Sequence, residues 1–198
     1  MEEFEKRFDV SRETFQRLEE FHELLLKWNA SINLISKTTE GEIWERHIAD
    51  SLQIQTLVSG KILDIGTGAG FPGAILALAG ISNIHLVEKS TKKCSFLRKV
   101  KSDIGGDFEI INQRIEDIKL ENIDVITCRG FASVKKILQL TSKLVAKETR
   151  FILLKGESYE KETKEARESG WEFKCEVVPS VTNDNGVVLI LSNVAKNG

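Results

Sequence analysis

The sequence predicts an α/β protein. A mostly parallel, seven-stranded sheet is covered on both faces by helices, closed by a C-terminal antiparallel hairpin and preceded by a helical extension over 1–57. Three observations predict it. From Lys61 onward, short apolar runs alternate with helical patterns, the signature of a parallel sheet. The last two strand-like runs, 172–178 and 187–192, have no helix between them, and Asn183-Asp184-Asn185-Gly186 supplies turn chemistry there. Between the first strand and its helix lies Asp64-Ile65-Gly66-Thr67-Gly68-Ala69-Gly70, a turn rich enough in glycine for a ligand to approach backbone N–H groups.

The elements follow in order. Phe4 and Phe8 stand four apart, and Phe15, Leu18, Phe21, Leu25 and Trp28 continue a helical stripe. Thr39-Glu40-Gly41-Glu42 fits a capping box that would start another helix, with Ile43, His47, Ile48 and Leu52 on its buried side. No Gly/Ser-rich linker separates this segment from residues 58–198, so it is expected to pack on the main domain. There, strands are expected at 61–65, 84–88, 108–111, 123–127 and 150–155, and helices at 72–79, 90–104, 132–146 and 157–169. The stretch 112–122 reads as loop plus a short turn.

Composition narrows the function. The chain has 198 residues, 41% apolar and 29% charged, which fits one globular α/β domain with a small extension. No apolar stretch is long enough to cross a bilayer, and the acidic start, Met1-Glu2-Glu3-Phe4-Glu5, lacks a signal-peptide core. Cys94, Cys128 and Cys175 are odd in number and widely spaced, which offers no metal pattern and points to a reducing cytoplasm and a packing role. A net charge of −2 excludes a globally electrostatic nucleic-acid binder. Locally, Lys89, Lys92, Lys93, Arg98, Lys99 and Lys101 fall in a run without an acid; it reads as a phosphate-backbone contact or as a solvated helix face.

The loop itself limits the ligand. A dinucleotide fingerprint starting at Gly66 needs a third glycine at Phe71, and one starting at Gly68 would place its third at Gly73, after Pro72. The observed acid followed by G-x-G-x-G resembles motif I of the class I S-adenosylmethionine-dependent methyltransferases. Glu88, ending the second strand run, stands where a carboxylate meets ribose hydroxyls. Ligands of open parallel sheets sit beyond the carboxyl ends of the strands. Those ends also carry Ile115, Glu116 and Asp117, which suit an adenine site or a helix N-terminus. Arg129, at the mouth of a buried strand, needs an anion: a ligand carboxylate, an RNA phosphate or a protein acid. His47, Asp50 and Ser51 share one helix face and are expected within reach of one another, in a structural or a functional role.

Five linked blocks then make the resemblance specific. Trp28-Asn29-Ala30-Ser31-Ile32-Asn33-Leu34-Ile35-Ser36, Glu45-Arg46-His47-Ile48-Ala49-Asp50-Ser51-Leu52, the 64–73 loop, Arg129-Gly130-Phe131-Ala132-Ser133 and Leu154-Lys155-Gly156 resemble, in order, the signatures of the RsmG family. That family, once called glucose-inhibited division protein B, methylates guanine N7 in small-subunit ribosomal RNA. The resemblance implies the class I methyltransferase (Rossmann-like) fold, S-adenosylmethionine as cofactor, 16S ribosomal RNA or the small subunit as partner, a cytoplasmic monomer, and no metal or membrane. It implies a cofactor site of Asp64, Gly66, Gly68, Gly70, Phe71, Glu88, Ile115, Glu116 and Arg129. RNA or pocket candidates are Asn33, His47, Asp50, Ser51, Lys92, Lys93 and Lys155. No catalytic acid or base is assigned: N7 carries a free lone pair and no proton, so alignment suffices, with Arg129 as an anchor. The alternatives are a methyltransferase on another RNA, a protein or a small molecule, and a ribosome-binding protein without turnover.

Overall fold

Seven strands form one sheet: β1 (Ile62–Ile65), β2 (Ile84–Val87), β3 (Phe108–Ile111), β4 (Val125–Arg129), β5 (Arg150–Lys155), β6 (Trp171–Pro179) and β7 (Val187–Lys196). The computed structural model describes residues 2–197; Met1 and Gly198, the outer ends of the two expected segments, lie outside the described residues. All residues of β1 and β2 are buried, as continuous apolar runs covered on both faces require. The order is β3-β2-β1-β4-β5-β7-β6, with β7 antiparallel to β5 and to β6. β1 therefore lies parallel between β2 and β4, and the chain reverses its direction of winding there. That reversal opens a crevice at the carboxyl ends of these strands.

The helices are α1 (Glu2–Phe8), α2 (Arg12–Ile32), α3 (Asp50–Leu52), α4 (Gly73–Leu78), α5 (Thr91–Asp103), α6 (Val134–Thr141) and α7 (Tyr159–Glu168). Residues of α4 and α5 join one buried cluster and those of α6 and α7 another, so the two sets cover opposite faces. α2 starts at Ser11, whose hydroxyl accepts the Thr14 N–H at 3.1 Å. It ends at Asn33, whose φ of 49° is the left-handed cap conformation. Its buried stripe is Phe15, Leu18, Phe21 and Leu25; Phe15 packs on Phe4 and Trp44 within the helical segment, and Phe21 reaches the main domain. The Phe21 ring meets Phe71 at 5.7 Å and Phe96 at 5.9 Å, edge to face in both cases. Burying such a side chain is worth about 1.5–3 kcal/mol, which holds the helical segment against the glycine loop and α5.

Three local expectations are corrected. The capping box at Thr39 is not used. Ser36 caps one turn earlier, its side chain accepting the Thr38 N–H, and the 3-10 helix Lys37–Glu42 takes Thr39 into its interior. The next segment, Trp44–Ala49, is a π-helix that runs into α3, a geometry frequent at functional sites. The helix expected over 132–146 ends at Thr141, whose hydroxyl bonds back to Ile137 O at 2.9 Å before the chain turns.

The signature asparagines also divide their work. Asn29 is buried; its Oδ1 accepts the N–H groups of Leu34 and Ile35 at 2.6 and 2.9 Å, and its Nδ2 donates to Glu40 at 2.6 Å. It thus fixes the path from α2 into the 3-10 helix, and Asn33 supplies the exposed turn.

Candidate active site

The glycine loop hangs between two carboxylates. Asp64, on β1, is wholly buried; its Oδ2 accepts the Gly73 N–H at 3.0 Å and its Oδ1 the Thr127 hydroxyl at 3.1 Å. Burial pushes its carboxyl up to about 6, against the pull of these hydrogen bonds. Asp64 therefore braces the loop from beneath and presents no surface to the crevice. Glu88, at the end of β2, accepts the Gly68 N–H at 3.1 Å and the Ser90 N–H at 2.7 Å, which ties the loop to the start of α5. Gly66 and Gly68 sit at φ of 63° and 61°, and a Cβ on Gly66 would lie 2.1 Å from the Phe131 ring. Thr67, 2% exposed, faces the Asp64 carboxylate, and its side-chain hydroxyl joins Gly73 and Thr127 in pulling the Asp64 pKa down.

Arg129, at the end of β4, finds its anion in the protein. Its Nη1 donates to Asp50 Oδ2 at 3.2 Å and to Arg46 O, and its Nη2 to His47 Nδ1. The guanidinium lies 5.0 Å from the Phe71 ring centroid, and the His47 ring stacks on the same phenyl at 5.0 Å. An arginine only donates, so His47 Nδ1 is an acceptor and its proton is on Nε2, which donates to the Thr39 hydroxyl at 3.1 Å. Burial, then the charges of Arg129 and Arg46, lower the His47 pKa to about 3, so the ring is neutral. Asp50 also accepts from Gln53 Nε2 at 2.6 Å and from the Thr182 hydroxyl at 2.9 Å. The contact open to His47, Asp50 and Ser51 is thereby made in part. Arg129 stands between the first two, and the buried Ser51 hydroxyl donates to His47 O at 2.6 Å.

A cavity of about 1060 Å³ opens at this end of the sheet. Of the residues singled out in the sequence, Gly66, Gly68 and Phe71 line it from the loop, and His47 and Asp50 from the helical segment. Arg129 and Lys155 line it from the strand ends, and Lys93 from α5. Asp64, Gly70, Glu88, Ile115 and Glu116 lie outside this lining, as do Asn33, Ser51 and Lys92. Ile115 is buried on the 3-10 helix Ile115–Asp117, while Glu116 and Lys92 are exposed. The Lys155 ammonium donates to Glu162 at 2.8 Å and to Ala132 O, which joins β5 to α7 and to the loop after β4. Cys128 is buried and its thiol is pushed up to about 12, the state of a packing residue. Thr39, Arg46, Thr182 and Asn183 also line the cavity and were missed. For the last two, the polar turn before the final strand was visible, but not where it folds back to.

A family model described as GidB, rRNA small subunit methyltransferase G, matches residues 14–186. The chain belongs to this family. It is 42% identical over 190 residues to the ribosomal RNA small subunit methyltransferase G of Rickettsia prowazekii, covering 94% of this chain and 98% of that protein. The protein of the same name from Rickettsia bellii is 40% identical over 191 residues, covering 95% and 98%. Among solved structures, the glycopeptide N-methyltransferase MtfA complexed with S-adenosyl-L-methionine superimposes with a TM-score of 0.61 at 11% identity, over 74% of this chain and 93% of that one. A TehB-like S-adenosylmethionine-dependent methyltransferase from Corynebacterium glutamicum gives 0.54 at 16% identity, over 73% and 87%. The fold is that of the class I methyltransferases, with the parallel sheet and C-terminal hairpin expected from the sequence.

Proposed function

We propose that this chain transfers a methyl group from S-adenosylmethionine to N7 of a guanine in 16S ribosomal RNA, free or within the small subunit, and acts as a cytoplasmic monomer. Family membership over 14–186 is the observation that carries the reading. The chain's residues fit the cofactor. Thr67, Gly66 and Gly68 line the cavity, and the Cβ position of Gly68 is open, its nearest neighbours 3.9 Å away, so a ligand can approach the backbone there. Arg129 commits three of the five N–H donors of a guanidinium to Asp50, Arg46 and His47, which leaves two for a carboxylate. Gly66, Gly68, Phe71 and Arg129 would hold the amino-acid part, and Ile115 and Glu116 the adenosine end. Asp64, Gly70 and Glu88 contribute by fixing the loop. Residues 1–57 are read as an extension packed on a methyltransferase domain of 58–198, a reading supported by the Phe21 contacts with Phe71 and Phe96.

When bound, S-adenosylmethionine supplies an electrophilic methyl group on a sulfonium sulfur. The residues around the cavity suit alignment. His47 has both ring nitrogens engaged and is neutral, so it neither takes nor gives a proton at working pH. Phe71, Phe131 and Leu154 present apolar surface that excludes water from the reacting atoms. Arg129 is held back by Asp50 and His47, which keeps its charge off N7, where it would occupy the acceptor and oppose the positive charge the base gains. Lys92 and Lys93 would meet RNA phosphates, whereas Lys155, paired with Glu162, shapes the pocket wall. The reading is tested by offering labelled cofactor and the purified chain to small subunits, naked 16S RNA and total cell protein. Label in the RNA supports it; label only in protein, or none, rejects it.

A further inference from the structure

The sheet order divides the cavity. The glycine loop and Lys93 belong to the β1 and β2 ends, whereas Gly130, Phe131, Leu154 and the β6–β7 turn belong to the β4, β5 and β7 ends. If the cofactor takes the loop side, the acceptor base enters opposite, against that turn.

We propose that the β6–β7 turn reads the edge of the acceptor base, with Asn183 as its specificity residue. This rests on the guanine-N7 reading above. The turn is pinned over the cavity by contacts from distant parts of the chain. Arg7, which also grips Glu45, donates to Val181 O at 2.6 Å; Gln53 Oε1 accepts the Val181 N–H at 3.1 Å; the Thr182 hydroxyl donates to Asp50 at 2.9 Å. Within the turn, Gly186 N–H donates to Asn183 O at 2.8 Å, and Asn185 N–H to Asn183 Oδ1 at 3.0 Å. That last bond, an Asx turn, fixes which way the carboxamide faces. Asn183 is exposed at the cavity rim, and its Nδ2 group has no protein partner among the described residues. A pinned turn thus carries a solvent-accessible N–H donor at the acceptor side of the cavity.

Guanine shows two acceptors on its major-groove edge, N7 and O6, whereas adenine shows N7 and a donor, N6–H₂. A productive pose must leave N7 free for the methyl group. A donor placed at O6 orients that edge without touching N7, and it meets another donor when the base is adenine. An asparagine amide at this position therefore selects guanine while leaving the reacting atom bare. Recognition of unstacked RNA bases through such edges is the ordinary mode for single-stranded or extruded nucleotides.

The test removes each partner of the proposed bond in turn. Small-subunit particles are prepared with guanine or with 2-aminopurine, which keeps N7 but lacks O6, at the methylated position. Methyl transfer is measured for the wild-type chain, Asn183→Ala and Asn183→Asp. Losing O6 is expected to lower wild-type kcat/KM about tenfold, the worth of one hydrogen bond at the upper end of the usual range. Asn183→Ala should be about tenfold slower on guanine and then lose less than about twofold more on 2-aminopurine. Asn183→Asp keeps the acceptor for Asn185 N–H but replaces the donor by a charge, and should be slower than the alanine variant on guanine. Cofactor affinity and melting temperature should stay at wild-type values in both variants. A full tenfold O6 penalty retained in Asn183→Ala, or no O6 penalty in the wild type, overturns the assignment. No transfer by the wild type to the guanine particle overturns the guanine-N7 reading itself, and the assignment with it.

Discussion

Replacing Asp64 with Asn should stabilise the protein at neutral pH, although the residue lies at the centre of the motif. The hydrogen bonds to Gly73 and Thr127 survive the change. Asn Oδ1 accepts the Gly73 N–H as Asp64 Oδ2 does now, and Asn Nδ2 donates to the Thr127 oxygen, whose hydroxyl proton is free to rotate. What disappears is a carboxylate with no exposure to water. The folded-state pKa is raised from 3.8 to about 6, so the ionised form is disfavoured by folding. The stability Asp64 contributes is therefore fully present below its unfolded value of 3.8 and lost as pH rises through about 6. A shift of about two units corresponds to about 3 kcal/mol at pH 8, about half that at pH 5 and under about 1 kcal/mol at pH 4. The assay is urea denaturation of the wild type and Asp64→Asn, without cofactor, between pH 4 and 8. The stability difference should grow with pH in the variant's favour by about 2–3 kcal/mol. Taking this difference removes the opposing contribution of His47, whose lowered pKa costs stability as pH falls from 6.5 toward about 3. A difference that stays flat with pH would refute the reasoning, because Asp64 would then share one pKa in both states.

Three further outcomes follow from the same geometry. Asp50→Ala strands a guanidinium whose side chain is 20% exposed beside His47 and should cost about 3 kcal/mol in urea denaturation; a loss under about 0.5 kcal/mol would mean water replaces the carboxylate. Gly66→Ala forces a Cβ to within 2.1 Å of the Phe131 ring at a φ of 63°, and calorimetry should show cofactor binding weakened at least about tenfold; wild-type affinity would exclude the loop as the cofactor seat. Replacing Lys92 and Lys93 with Gln should reduce the slope of log affinity against log salt for ribosomal RNA by about 1.4, whereas an unchanged slope assigns both lysines to solvent.

The parallel half of the sheet was legible because its strands are buried on both faces and so read as unbroken apolar runs, Ile62-Leu63 and Val125-Ile126 among them. The hairpin was legible from Asn183-Asp184-Asn185-Gly186, and the glycine loop from its spacing. What escaped was set by distance along the chain. The Arg129 partners Asp50 and His47 are 79 and 82 residues away, and Thr182 reaches Asp50 across 132. The arginine's need for an anion could be stated from its strand-end position, but not which anion met it. Locally, the capping rule failed at Thr39 because Ser36, also a good cap, lies three residues earlier and claims the first turn. The π-helix has no composition that separates it from an α-helix; its His47 packs on Phe71 and bonds Arg129, partners far along the chain.

Methyl placement is decided most directly by mass mapping small-subunit RNA from cells with and without this gene, and from subunits of the deficient cells after treatment with the purified chain and S-adenosylmethionine. The expected result is one guanine that carries a methyl on N7 in normal cells, lacks it in deficient cells and regains it in vitro. An unchanged map, or a restored methyl on any atom other than guanine N7, would contradict the assignment.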